Sequence, residues 1–382
     1  MRSAYFSPDD CRLDDFRRLT SQSLDKSQLV YADSVEGDIP IYDGEALGPI
    51  LSDPAQRRDL MAEWNLVLEE LSGVLVIRQA QPDLGAIDAA TAIYDRIIEE
   101  ERARGAAGDH FAAAGANDRV WNSLQKLCLT DPAVFVRYFA SPIIDAISEA
   151  WLGKGYQMTA QINLVRPGGK AQTAHRDYHL GFMTESRIAD MPASAHLLSP
   201  RLTLQGALAH CDMPVESGPT KLLPFSQAYA PGYLAYHRPE FRDYFERHCV
   251  QLPLAKGDAV FFSPALFHAA GDNISGTIRR MANLLQVSSP MGRAMETVDR
   301  AAMVRALYPA LLDAALPMPE RDAVIAAAAE GYAFPTNLDR DPPIGGIAPE
   351  TQAALMIRAL DAGMSTDDFL AALDAHGQRR TA

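Results

Sequence analysis

Between residues 157 and 164 polar and apolar side chains alternate without interruption, with Met158, Ala160, Ile162 and Leu164 on one side and Gln157, Thr159, Gln161 and Asn163 on the other. Successive side chains of a β-strand point to opposite faces, so the pattern predicts a strand with one face on a core and one presenting polar groups. More strand-like runs follow in RLTLQGALAHC, CVQLPLA, AVFFS and RRMANLLQVS, separated by the turn signals Glu216-Ser217-Gly218-Pro219, Pro231-Gly232 and Lys256-Gly257-Asp258. Short strands punctuated by Gly and Pro predict a sandwich or jelly roll over residues 156–290.

On either side the period becomes helical. AQRRDLMAEWNLVLEELSG ends at Gly73 before the short buried strand VLVIRQA, and LGAIDAATAIYDRIIEEERARG and DPAVFVRYFASPIIDAISEAWLG follow, so 57–155 reads as an N-terminal helical support. Helix returns after 291 in ETVDRAAMVRALYPALLDAAL, PERDAVIAAAAEG, PETQAALMIRALDAG and STDDFLAALDAHG, the last opening on a Ser365-x-x-Asp368 cap, so 291–382 reads as a C-terminal helical extension. Residues 1–56 predict one helix near DDCRLDDFRRL and an extended piece near IPIYDG, with no functional signal. The Pro- and Gly-rich run FPTNLDRDPPIGGIAP is either a functional lid or a plain surface connection. The 382 residues are taken as a single catalytic domain.

Composition narrows the function classes. Apolar residues form 48% of the chain and charged residues 22%, enough for a sizeable core. A net charge of -14 lacks the basic face that phosphate neutralisation needs, so a small-molecule substrate is expected and a nucleic-acid partner is not. There is no apolar run of membrane-spanning length, and the opening MRSAYFSPDDCRLDDF is too acidic for a signal peptide, so no membrane partner and a cytoplasmic location are expected. Cys11, Cys128, Cys211 and Cys249 lie too far apart to suggest a disulfide framework or a thiolate zinc site.

The chemistry concentrates in AHRDYHLGF, residues 174–182. His175 and Asp177, separated by one residue, can grip one cation from the same face of a strand. His268, at the end of a buried run, offers a third ligand, with Asn273 and Arg279 following it. Two imidazoles and one carboxylate on one face of an octahedral metal leave three positions open, which suits Fe(II) that must bind a cosubstrate and dioxygen. Arg279 could clamp a carboxylate in bidentate fashion, which points to 2-oxoglutarate. A cupin-like metal-binding protein without oxidase activity and a zinc hydrolase are the alternatives, and neither needs such a clamp. Beside these sharp readings stand plainer ones. His179 is a second contact near the metal or an ordinary polar position, Tyr178 and Phe182 pack, His210 is structural or cavity-lining, and Trp121 belongs to the core. Arg166, Arg201 and Arg293 read as solvated charges.

With these residues in place, the segment 155–290 resembles the phytanoyl-CoA dioxygenase family of Fe(II)- and 2-oxoglutarate-dependent oxygenases, which includes ectoine hydroxylase, with a weaker echo in ELSGVLVIRQA at 70–80. The resemblance implies a mainly β double-stranded β-helix core (jelly roll, cupin-like) flanked by helical segments. It implies Fe(II) on His175, Asp177 and His268, and 2-oxoglutarate with its far carboxylate on Arg279 rather than Arg280, with dioxygen as cosubstrate. Asn163 in QINLVRPGG is similar to an asparagine that helps to hold the cosubstrate, and Thr159 and Gln161 on its face are taken as further contacts. Two departures stand out, PFSQ at 224–227 and Ala270, where relatives often carry a cosubstrate-touching serine. Asp177 is kept, which speaks against the halogenase branch. The implied reaction is hydroxylation of a small molecule with release of succinate and CO2. Desaturation, epimerisation or ring closure with the same cofactors is the alternative. The helical additions are expected to shape the pocket or a homodimer contact.

Overall fold

The alternation at 157–165 is realised in a computed structural model that describes residues 4–104 and 117–381. Its strands are β1 (Ser34–Glu36), β2 (Ile39–Asp43), β3 (Val74–Arg78), β4 (Asn117–Val120), β5 (Gln157–Val165), β6 (Thr203–Ala209), β7 (Lys221–Leu223), β8 (Ala259–Phe262), β9 (Phe267–Ala269) and β10 (Arg280–Ser288). Eight of them form one sheet in the order β1-β2-β3-β8-β6-β10-β5-β4, antiparallel except where β2 lies parallel to β3. β7 and β9 pair in a second, smaller sheet, prolonged by single bridges from His175 to His268 and from Val250 to Leu222. The two sheets make a jelly-roll core of the double-stranded β-helix type, flanked by helices.

Each strand of the large sheet divides its side chains between two environments. From β5, Met158, Ala160, Ile162 and Leu164 enter the main apolar cluster under the helices, joined by Met281, Leu285 and Val287 of β10. That same cluster takes in Trp64, Leu127, Phe135, Met303 and Phe369 from helices on both sides of the core in sequence. Burial of this face is the dominant stabilising term, at about 25 cal/mol per Å² of apolar surface. The opposite face of the sheet looks toward the small sheet and encloses a cavity of about 380 Å³.

Several expected elements take a different form, each for a local reason. The run 131–153 is two helices, Pro132–Phe139 and Pro142–Leu152, because Pro142 cannot continue the first. Ser141 caps the second by accepting from the Ile144 N–H at 3.3 Å, and its hydroxyl donates to the Ala80 carbonyl at 2.7 Å. CVQLPLA makes only isolated bridges at Val250 and Leu254. The large sheet also reaches outside 156–290, since β1 to β4 all precede it and β4, in NDRV, carries too little alternation to be read as a strand. The helix expected to end at Gly105 runs Leu84–Ala103, and residue 105 lies outside the described residues. Ser365 does cap the last helix, accepting from the Asp368 N–H at 3.2 Å.

The N-terminal segment buttresses the small sheet from behind. Phe16, on the helix Leu13–Thr20, is fully buried with its ring 4.9 Å from that of Phe267, next to His268, and 5.1 Å from those of Tyr229 and Phe241. The loop 335–349 contributes nothing to the cavity wall and packs instead on the last helix, where Arg379 pairs with Asp341 and Arg380 donates to the Pro335 carbonyl.

Candidate metal centre

His175 and His268 face each other across a narrow antiparallel bridge, each backbone N–H donating to the other's carbonyl at 3.1 and 3.2 Å. This brings the rings to 4.4 Å between centroids. Asp177, two residues on, is tied down through its N–H to the Pro264 carbonyl at 3.1 Å. One ligand atom from each of the three residues then falls within 4.8 Å of the others, the only such group of His, Cys, Asp or Glu among the described residues.

The protons are arranged for a cation. The Nδ1 of His175 lies 2.8 Å from the Thr173 carbonyl and that of His268 lies 2.9 Å from the Leu266 carbonyl. A carbonyl only accepts, so both rings carry their proton on Nδ1 and present a bare Nε2 to the centre. Burial lowers the pKa of His175 despite the neighbouring carboxylate, which favours that neutral form. Burial would by itself raise the pKa of Asp177. The Gln205 amide, donating to Oδ2 at 2.6 Å, and the two imidazoles beside the carboxylate favour its ionised form over burial and hold the carboxyl well below its usual range. Neutral imidazoles with one ionised carboxylate are the donor set that a hard-to-borderline divalent ion takes.

Arg176, between two of these residues, points the other way and is buried among backbone carbonyls, donating to Ser226 at 2.5 Å, Tyr229 at 2.9 Å and Gln227 at 3.4 Å. Its guanidinium also stacks over the rings of Tyr233 and Phe267 at 5.3 and 5.2 Å. A Cβ at Gly232 would sit 1.9 Å from its Cζ, so a larger residue there would have to push the guanidinium off its carbonyls. The Tyr233 hydroxyl lies 2.9 and 2.8 Å from the carbonyls of Asp177 and Tyr178, and the Ser199 hydroxyl donates to the latter at 2.7 Å. Both faces of the 175–178 loop are therefore fixed.

The two adjacent arginines separate in the opposite sense to the expectation. Arg279 lies outside the cavity, its side chain half exposed and paired with Asp95 at 2.7 Å. Arg280 lines the cavity and is 7% exposed. The register explains it: β10 pairs Arg280 with Val165, Ala282 with Asn163 and Leu284 with Gln161, so Arg280 shares the polar face of β5 while position 279 shares the helix side. Alternation had placed the two arginines on opposite faces without saying which face was which. Arg280 donates to the carbonyls of Ser217 at 3.2 Å and Gly271 at 3.4 Å, and among the described residues no carboxylate pairs with it. Gly218, beside Ser217, has φ +75° and leaves 2.3 Å between a would-be Cβ and the Asp272 carbonyl, so this turn also requires glycine. Burial lowers the Arg280 pKa to about 10, which leaves it charged at neutral pH. A buried cation without a counter-ion is costly and stands ready for an anion.

Asn163 and Gln161 line the cavity as expected, and Gln161 accepts from Arg119 at 3.2 Å. Thr159 is corrected: it is fully buried and donates to the Gln286 carbonyl at 2.8 Å, away from the cavity wall. His179 does not line the cavity, whereas Tyr178, Phe182 and Ala270 do. His210 stands on the far side of the sheet, hydrogen-bonded to Thr91 and Tyr138. Arg166 pairs with Asp118 at 2.6 Å and Arg201 with Glu69. Arg119, Gln205 and Met295 are cavity residues that the sequence did not single out, because they sit on a short strand, within an apolar run and in a loop.

Together the jelly-roll core, the His-x-Asp and His donor set and the buried arginine define the class of mononuclear non-haem metal oxygenases. The chain belongs to the phytanoyl-CoA dioxygenase (PhyH) family, whose model matches residues 70–281, more than half of it. The cofactors are those of the family, Fe(II) and 2-oxoglutarate with dioxygen, and the enzyme is an Fe(II)/2-oxoglutarate-dependent oxygenase. Among solved structures, the non-heme alpha ketoglutarate dependent epimerase SnoN from nogalamycin biosynthesis is 19% identical, over 62% of this chain and 84% of its own, with a TM-score of 0.40. SnoN in complex with Fe3+, alpha ketoglutarate and nogalamycin RO is 20% identical over 62% and 85%, with a TM-score of 0.42. The carbocyclase SnoK is 18% identical over 59% and 83%, with a TM-score of 0.41. No curated protein matches. No described helix is long and apolar enough to cross a membrane.

Proposed function

We propose that the protein hydroxylates a small molecule, with His175, Asp177 and His268 holding the iron and Arg280, in place of Arg279, fixing the far carboxylate of 2-oxoglutarate. The observation that carries the reading is the buried, charged Arg280, with no carboxylate beside it among the described residues, in the same cavity as the triad. When bound, the iron and cosubstrate supply the oxidising power, consuming dioxygen and converting 2-oxoglutarate to succinate and CO2 while one oxygen atom enters a substrate C–H bond. The chain's own part is positional. Arg280 sets the depth of the cosubstrate by a charge-assisted pair. Asn163 on the neighbouring strand offers an amide to the cosubstrate or the substrate, and the apolar wall keeps water out.

A small, partly apolar cavity and a net charge of -14 support a small-molecule substrate over a nucleic acid. Four unpaired cysteines support a reducing, cytoplasmic setting. The test is turnover under 18O2 with Fe(II), 2-oxoglutarate and a panel of candidate substrates. Succinate in step with a product carrying one labelled oxygen supports hydroxylation. Succinate in step with a dehydrogenated, epimerised or cyclised product without label overturns it in favour of diverted chemistry.

A further inference from the structure

Gln205 and Gln286 stand directly opposite one another on β6 and β10, both line the cavity, and they are 2% and 6% exposed. The Gln205 side-chain nitrogen donates to Asp177 Oδ2 at 2.6 Å. An ionised carboxylate only accepts, so this contact fixes the amide: its nitrogen belongs on Asp177 and its oxygen is turned away from it. Among the described residues that oxygen is buried without a hydrogen-bond partner, and so is the side-chain oxygen of Gln286. Leaving a buried acceptor unmet is costly, so two of them on facing residues call for a donor.

The position of the pair says where that donor sits. Phe262, the cross-strand neighbour of Gln205 on its other side, packs its ring 4.7 Å from that of His268, which puts the pair at the level of the triad. Arg280 lies at the other end of β10, so the far end of the cosubstrate and the amide pair occupy different parts of the cavity. 2-Oxoglutarate carries only acceptors at neutral pH and cannot satisfy these oxygens. A cationic donor is disfavoured beside a divalent ion with Arg280 and Arg119 in the same cavity. What remains is a neutral donor, water or an O–H or N–H group of the substrate, and of the substrate groups a hydroxyl is the smallest that can reach both oxygens.

We propose that the Gln205–Gln286 pair is a substrate subsite that receives a hydroxyl group beside the metal, so that the substrate is an alcohol-bearing molecule. This rests on the oxygenase reading above. It assigns Gln205 two duties: its nitrogen orients Asp177, and its oxygen meets the substrate.

The test uses protein loaded with Mn(II), a paramagnetic and redox-silent stand-in, and 2-oxoglutarate, with cyclohexanol and cyclohexanone as probes of equal size. The first offers a donor and the second only an acceptor. Mn(II) enhances proton relaxation of any probe held near it, so no turnover is needed. Cyclohexanol should show enhancement at roughly 5-fold lower concentration than cyclohexanone, the effect of about one hydrogen bond. In Gln286→Met this preference should shrink while the melting temperature and Mn(II) affinity hold. Equal behaviour of the two probes in the native protein overturns the subsite, as does an undiminished preference in Gln286→Met. If that variant does not fold, the native comparison still decides. Failure of the metal reading itself is visible separately, because water-proton relaxation would then show no Mn(II) binding before any probe is added.

Discussion

A buried histidine on the back of the large sheet should make this protein sensitive to mild acid. His210 is 4% exposed, with Nδ1 2.8 Å from the Thr91 hydroxyl and Nε2 2.6 Å from the Tyr138 hydroxyl. The Thr91 proton is already given to the Ile87 carbonyl at 2.8 Å, so its oxygen accepts and His210 Nδ1 carries the hydrogen. Nε2 then accepts from Tyr138, whose oxygen accepts from Asn283 at 3.1 Å. The network has no place for a second proton, and burial lowers the His210 pKa from 6.5 to about 3. The unfolded chain takes up that proton below its ordinary pKa while the folded chain does not. Stability therefore falls as the pH drops below 6.5 and stops falling near the folded pKa. Each unit is worth about 1.4 kcal/mol, so this one residue removes roughly 2 kcal/mol between neutrality and pH 5. Urea unfolding of the metal-free protein at pH 7 and at pH 5, beside His210→Gln, isolates the effect from the other histidines. The native protein should lose about 2 kcal/mol more than the variant over that interval. The same pH dependence in both would refute the reasoning.

Other consequences follow from the same packing. Arg176→Met strands three backbone carbonyls behind the metal loop, at about 1–3 kcal/mol for each acceptor left unmet, read as a lower melting temperature, with weaker Fe(II) retention in whatever remains folded. Phe16→Ala removes a fully buried ring from the back of the small sheet and should cost about 3–5 kcal/mol in urea unfolding. The double change Ile344→Ser and Ile347→Ser, on side chains 93% and 98% exposed in a loop outside the cavity wall, should leave 2-oxoglutarate affinity and melting temperature within error. A several-fold loss of affinity there would restore the loop as a lid.

The residues that carried most of the reading were those whose signal is local. Met158 to Leu164 declared two faces, and both faces have the expected neighbours, because period-2 alternation is a direct record of burial. The triad was legible because His175 and Asp177 are close in sequence and His268 follows a buried run. What failed depended on register. Arg279 and Arg280 are indistinguishable until one knows that Arg280 stands opposite Val165, a non-local fact about strand pairing. Thr159 was on the right face and still misassigned, because its hydroxyl found a strand carbonyl before it could reach the cavity. Gln205 lies in a run whose every residue is buried, which hides a polar cavity-facing position among apolar ones. β4 and the role of Phe16 were illegible for a related reason: each short segment is ordered by partners far away in sequence.

The central claim, a metal triad facing a carboxylate clamp at Arg280, is tested most directly by anaerobic titration of the metal-free protein with Fe(II) and 2-oxoglutarate. The readout is the weak visible charge-transfer band of the chelated keto acid. The native protein and Arg279→Ala should give the band at similar 2-oxoglutarate concentrations, whereas Arg280→Ala should need a concentration at least about 30-fold higher, the effect of losing one buried charged pair. Asp177→Ala should give no band at all. A band lost in Arg279→Ala and kept in Arg280→Ala, or no band in the native protein with iron bound, would contradict the account.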